Sequence, residues 1–101
     1  MAYKLVIARE AQGEYRAVVG YLATTLGSPQ AARHFMDEFD AKGELIGQQP
    51  KAFDLCHPPE LAVLGYRSAA VMRYTVLYRI ADDRVIIAHI FHQSQDYARL
   101  V

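Results

Sequence analysis

The chain has 101 residues, 52% of them hydrophobic and 22% charged, with 11 basic and 11 acidic side chains and a formal net charge of zero. This length is expected to hold a single domain, 1–101, around one modest core, and the apolar fraction argues against a disordered chain. The one cysteine, Cys56, excludes a disulfide framework and a Cys-based zinc site and fits a reducing, cytoplasmic setting.

Tyr3, Leu5 and Ile7 alternate with Lys4 and Val6 and predict a short strand. The apolar run stops at Arg9, too early for a signal-peptide core. From Arg9 to Leu26 the period becomes helical, with Ala11, Tyr15, Val18, Leu22 and Leu26 on one stripe and Gly27 in the C′ position. Ser28-Pro29 supplies an N-cap and a proline at N1 for a second helix, whose apolar stripe is Ala32, Phe35, Phe39 and Ile46 and which Pro50 ends. The junction is so short that the two helices must form an antiparallel hairpin. The uncharged run Ala17 to Ala32 is too short and too interrupted to span a bilayer, so no membrane partner is expected.

Residues 50–60 carry Pro50, Pro58 and Pro59 and read as a loop. Three strand-like segments follow. The first spans about Ala62–Ala69. In the second, Met72, Tyr74, Val76, Tyr78 and Ile80 alternate with Arg73, Thr75, Leu77 and Arg79. After a tight turn at Asp82-Asp83 comes the third, Val85 to His92, apolar on both faces and therefore central in its sheet. Ser94 caps a last short helix through Tyr97 to Leu100. The predicted class is α+β: an N-terminal strand, a helical hairpin on one face of a mostly antiparallel four-stranded sheet, and a short C-terminal helix. The opposite sheet face is left free for a ligand.

His89 and His92, three apart in a strand, point to opposite faces and cannot share an ion, so no metal or other cofactor is expected. Cys56 beside His57 offers a Cys–His pair or simply an incidental loop thiol. The glycines are scattered and form no phosphate cradle. What remains is a cationic and aromatic group on the meander: Arg67, Arg73, Thr75 and Arg79, with His92 ending the last strand and Tyr97 five residues on. Arginines can neutralise a phosphodiester, a histidine can exchange protons near neutral pH, and a tyrosine can stack on a base or act as an acid. The same residues also fit an ordinary solvent-facing sheet surface.

The chain as a whole resembles the RelE/ParE-type toxins of bacterial type II toxin–antitoxin systems. The resemblance rests on the opening Tyr3-Lys4-Leu5-Val6-Ile7, the Gly27-Ser28-Pro29 junction, Pro50 after Leu45-Ile46, Gly65-Tyr66-Arg67, Arg73-Tyr74-Thr75-Val76-Leu77-Tyr78-Arg79-Ile80, and Val85-Ile86-Ile87 leading to His92 and Asp96-Tyr97-Ala98-Arg99-Leu100. It implies the fold derived above and a cognate antitoxin that wraps the toxin. RelE-like members cut mRNA on the ribosome, without a metal, by attack of the ribose 2′-hydroxyl; ParE-like members inhibit DNA gyrase and lack the nuclease residues.

Carried over by position, the terminal tyrosine of the nucleases maps onto Tyr97 and the strand-end histidine onto His92. The family's strand arginine falls at Thr75, with Arg73 and Arg79 expected on the same face, and the lysine-rich second strand is reduced to Arg67. The leading expectation is a ribosome-dependent mRNA endoribonuclease that inhibits translation. In it His92 exchanges protons, Tyr97 stacks or assists, Arg73 and Arg79 hold the scissile phosphate, and Arg67 and Thr75 contact the flanking substrate. The alternatives are a ParE-like gyrase inhibitor and a detoxified module that only binds its antitoxin. An apolar groove between the helices and a sheet edge is expected to take an amphipathic partner helix.

Overall fold

Alternation in the first residues and helical periodicity after Arg9 build the elements in order. The computed structural model describes residues 3–95 and Val101. Strand β1 (Lys4–Ile7) leads into α1 (Arg9–Gly20), which continues as a π-helical turn, Tyr21–Thr25. Helix α2 (Pro29–Gln48), a 3₁₀ turn (Pro50–Ala52) and the short α3 (Pro59–Val63) follow, then β2 (Arg67–Val71), β3 (Tyr74–Ala81) and β4 (Arg84–His92). The sheet order is β1-β4-β3-β2, with β1 parallel to β4 and the other pairs antiparallel. As its two apolar faces predict, β4 is an inner strand.

The hairpin junction forms as the sequence indicates. Gly27 has φ +63°, where a side chain would strain the backbone. The Ser28 hydroxyl accepts the Ala31 N–H at 3.1 Å, and Pro29 opens α2. Ala11, Val18 and Leu22 of the first helix and Ala32, Phe35, Phe39 and Ile46 of α2 pack on Val76, Tyr78, Val85, Ile87 and Ile90. Gly43 brings α2 close to β1: a Cβ there would stand 3.2 Å from Leu5 Cδ2.

Three features differ from the expectations. Leu26 is 57% exposed, off the core stripe. The Thr24 hydroxyl occupies the Gly20 carbonyl at 2.6 Å, and the Leu26 N–H reaches back five residues to Tyr21 O at 2.9 Å. The wider turn changes the helical phase and swings Leu26 outward. Second, the segment around Ala62–Ala69 is not one strand. Pro59 at N1 starts α3, Gly65 at φ +84° ends it, and pairing begins only at Arg67. Val63 is 85% exposed, so its apolar run does not mark a buried strand. Third, Met72 and Arg73 are the two turn residues between the paired Val71 and Tyr74, with Met72 at φ 55°, so β3 starts two residues later than its alternation suggests.

The sheet face opposite the helices is also not free. The segment after the 3₁₀ turn lies along β2 through a Leu55–Arg67 bridge and a bond from Cys56 N–H to Tyr66 O at 2.9 Å. This fold-over buries Cys56 and Leu61 against Leu77 and Phe91, a second small core. Burial pushes the Cys56 thiol up, offset in part by a hydrogen bond with Ser68. With Cys56 buried and His57 exposed, the two do not form a catalytic pair.

Two polar contacts, one buried and one part-buried, hold the layers in register. The Tyr78 hydroxyl, on a fully buried ring, donates to Pro50 O at 2.5 Å and ties β3 to the end of α2. Burial raises this phenol to about 12, against a smaller lowering by Arg67. The other contact closes the edge of β4. β1 has four residues and β4 nine, so the parallel pairing runs out at Ile7–Ile87. Beyond it, Glu14 of α1 accepts the Ile90 N–H on Oε1 at 2.9 Å and meets His89 Nδ1 with Oε2 at 3.2 Å.

Tyr78→Phe is expected to lower unfolding stability by about 1–3 kcal/mol in urea titrations, because Pro50 O loses its partner. In the parent protein, stability is expected to hold below the ordinary tyrosine value of 10.0 and to fall as pH rises through about 12, since only the unfolded chain ionises easily there. Tyr78→Phe should flatten that fall. Glu14→Ala is expected to cost about 1–3 kcal/mol by the same measurement, and Glu14→Gln less, because an amide oxygen can still accept from Ile90.

Candidate functional site

At the end of the sheet where the β2–β3 turn meets the start of α2, the layers part. An open cavity of about 570 Å³ is lined by Tyr21, Leu22, Leu26, Ala31, Met72, Arg73, Tyr74 and His92. The concavity continues past Ala17 and Val18 toward Glu14, Ile90 and Gln95. Its walls are apolar and accessible: Tyr21 is 47% and Met72 40% exposed. The π-helical turn that rotates Leu26 out of the core is what gives the groove its far wall.

His92 stands at the centre of this groove, on the last residue of β4. Its ring meets Tyr74 edge-on, with centroids 5.4 Å apart at 87°. The Ser94 N–H points to Nδ1 at 3.1 Å and the Ser94 hydroxyl lies 2.7 Å from the same atom. A backbone N–H only donates, so Nδ1 accepts, and a neutral ring carries its proton on Nε2. The backbone N–H of His92 donates to Gln95 Oε1 at 2.7 Å. Burial raises the Tyr74 phenol, and the neighbouring Tyr21 raises it further.

Arg73 reaches the same groove from the hairpin turn, whose carbonyl accepts the Gln93 N–H at 2.9 Å. Its guanidinium has no partner among the described residues. Arg73 and His92 are thus brought together, one as a cation without a partner among the described residues and one as an Nε2–H donor, above an apolar floor. Such a surface suits an amphipathic segment with an acidic or carbonyl group placed over the pair.

The remaining sequence candidates lie elsewhere. Arg79 pairs with Ile86 and Thr75 with Phe91, both on the sheet face away from His92, so Arg73 and Arg79 do not share a face. Turning at Met72-Arg73 removes Arg73 from the strand alternation that grouped them. Arg67 donates from its guanidinium to Phe53 O at 2.6 Å and fastens the fold-over segment to β2. Tyr97 and residues 96–100 of the predicted C-terminal helix lie outside the described residues, while Ser94, expected to cap that helix, sits in a turn with its hydroxyl on His92 Nδ1. His89 and His92 point to opposite faces as expected: His89 pairs with Leu77 and stacks on Phe91 at 5.0 Å, whereas His92 lies opposite Tyr74.

Sequence reasoning missed Glu14 and Gln95, whose side-chain oxygens hold the outer amides of β4 at Ile90 and His92. Glu14 had a signal: with Ala11 and Val18 it lies on one face of α1, an acid interrupting an apolar stripe. Gln95 had none.

The family model described as ParE toxin of type II toxin-antitoxin system, parDE, matches residues 5–97. Among solved structures, the chromosomal ParDE toxin–antitoxin system from P. aeruginosa superposes with a TM-score of 0.72 at 15% identity, covering 90% of this chain and 96% of that one. The E. coli toxin RelE, as a free double arginine-to-alanine mutant, gives 0.65 at 17% identity and covers 99% and 93%. The RelBE2 toxin–antitoxin complex from Mycobacterium tuberculosis gives 0.60 at 16%, covering 91% and 99%. A search of curated proteins by sequence finds no significant match. Among the described residues, no helix is long and apolar enough to cross a membrane. With the family match running over nearly its whole length, the chain belongs to the ParE toxins of type II toxin–antitoxin systems, within the RelE/ParE superfamily.

Proposed function

We propose that this toxin acts on DNA gyrase by binding, in the ParE manner, and that its cognate antitoxin silences it by laying an amphipathic helix in the groove around Tyr21, Leu26 and Met72. The observation that carries the first half is the dispersal of the cations. A nuclease built on this sheet would gather guanidinium groups around the scissile phosphate. Among the described residues Arg79 stands on the far face, Arg67 is spent on the Phe53 carbonyl, and only Arg73 remains beside His92. The zero net charge likewise gives no general attraction for a ribosome or other polyanion. The similarity to the ParE family model and to a ParDE system supports the same reading.

The second half rests on shape. The groove offers exposed apolar side chains in a concave strip, with the Arg73 guanidinium, unpartnered among the described residues, at its rim. An acidic residue flanking the apolar stripe of a partner helix would meet Arg73. The P. aeruginosa and M. tuberculosis neighbours are toxin–antitoxin assemblies, which supports a cognate antitoxin for this chain.

A nuclease reading is favoured by one observation, the shared groove of Arg73 and His92. There His92 would exchange protons, Arg73 would hold the phosphate, and Tyr97 would stack or assist, with Arg79, Arg67 and Thr75 at most flanking.

Induction of the toxin is expected to trigger the DNA-damage response and filamentation while translation continues at first, and the purified protein to block supercoiling by gyrase. Prompt arrest of translation with A-site cuts in transcripts, abolished in a His92→Ala, Arg73→Ala double variant, would establish the nuclease instead. Leu26→Asp is expected to weaken binding of the product of the adjacent antitoxin gene about tenfold or more in calorimetry, because a Leu-sized apolar contact is replaced by a charge. Unchanged affinity would remove the groove from that interface.

A further inference from the structure

A second concavity lies away from this groove, between the two long helices. It measures about 270 Å³ and is lined by Ile7, Gln12, Tyr15, Arg16, Phe39 and Asp40. We infer that it is a socket for an arginine side chain carried by a partner polypeptide. The inference stands on its own residues and does not depend on whether gyrase is the target.

Its floor is aromatic. The Tyr15 and Phe39 rings meet edge to face at 4.8 Å and 70°, with Phe39 buried and Tyr15 half-buried. Its polar lining comes from Gln12, Tyr15, Asp40 and Arg16. Asp40 is exposed on the wall. Gln12 donates its amide N–H to Ile7 O at 2.9 Å, and its amide oxygen has no partner among the described residues. Asp37 adds a second carboxylate one turn from Asp40, and both carboxylates raise the Tyr15 phenol after the larger effect of burial. The ring therefore sits in a negative field.

Neither Asp37 nor Asp40 has an ion-pair partner among the described residues; the pairs there are His34–Glu38 and His89–Glu14. Arg16 borders the cavity without closing on Asp40.

An aromatic face beside a carboxylate selects a cation, and among cations a guanidinium. Its plane stacks on a ring, its fork fits one carboxylate, and its methylene stem covers apolar surface. A lysine ammonium is a compact, strongly hydrated charge that matches neither the flat floor nor the fork. An acidic or neutral polar guest would leave Asp40 and Asp37 without a counter-charge. Arg16 carries the same sign as the proposed guest and weakens its binding.

The test is a titration of the full chain with Nα-acetyl-arginine methylamide, followed through the ring NMR signals of Tyr15 and Phe39. Nα-acetyl-citrulline methylamide, equal in shape and uncharged, is the control. Saturable shifts are expected with the arginine probe, about threefold or more weaker with citrulline. Asp40→Asn should abolish this preference, Asp37→Asn should reduce it, and Arg16→Gln should tighten the arginine probe. These positions lie on exposed helix surface, so an unchanged amide spectrum confirms the fold. Equal binding of the two probes, shifts confined to residues outside the cavity, or a preference that survives both aspartate substitutions would overturn the assignment. Failure of these arms leaves the gyrase and antitoxin experiments untouched, so the two readings fall separately.

Discussion

Strand β4 has more backbone to satisfy than its neighbours supply. β3 covers one edge from Arg84 to His92 with a single bulge, but on the other β1 gives out after four residues. The remaining outward amides would be left bare beside a helix, at a cost comparable to a lost hydrogen bond each. The Glu14 carboxylate and the Gln95 amide oxygen stand in for the missing strand at Ile90 and His92. That substitution lets α1 cross the upper half of the sheet where a strand would otherwise lie. It also fixes the end of β4, and with it the ring of His92, within the groove. The placement of His92 in the candidate site thus follows in part from one strand being shorter than the one it pairs with.

The π-helical turn has a similar reach. By giving the Gly20 carbonyl to a threonine hydroxyl, the chain widens one turn and moves Leu26 out of the interior. The interior does not suffer, because Leu22 is still buried. The displaced leucine joins Tyr21 and Met72 on an open apolar wall. Met72 itself is placed there by a two-residue turn at positive φ, a conformation that glycine would adopt with less strain.

Much of the fold was legible because it rests on local rules. Gly27-Ser28-Pro29 specifies a helix end, a cap and a helix start in three residues, and the stripe Ala32, Phe35, Phe39, Ile46 is buried throughout. The two apolar faces of Val85–His92 announced an inner strand. The site was less legible, because grouping residues by face needs the exact start of a strand. Placing Met72 and Arg73 inside β3 aligned Arg73 with Thr75 and Arg79; the turn at Met72 breaks that alignment and sends Arg73 to the helix side. The fold-over of residues 53–66 was hidden for a related reason. Its anchors, the Arg67 guanidinium on Phe53 O and the Cys56 N–H on Tyr66 O, join a loop to a strand through backbone groups, which leave no periodic trace.

Cys56 turns that fold-over into something observable. The residue is 3% exposed, sealed in the fold-over against the sheet, and burial raises its thiol above the ordinary value, favouring the protonated form. A thiolate is the reactive form, so in the closed protein this thiol is shielded twice, from collision and from ionisation. Chemical labelling at the chain's single sulfhydryl therefore times the lifting of one flap, reporting local opening separately from global unfolding.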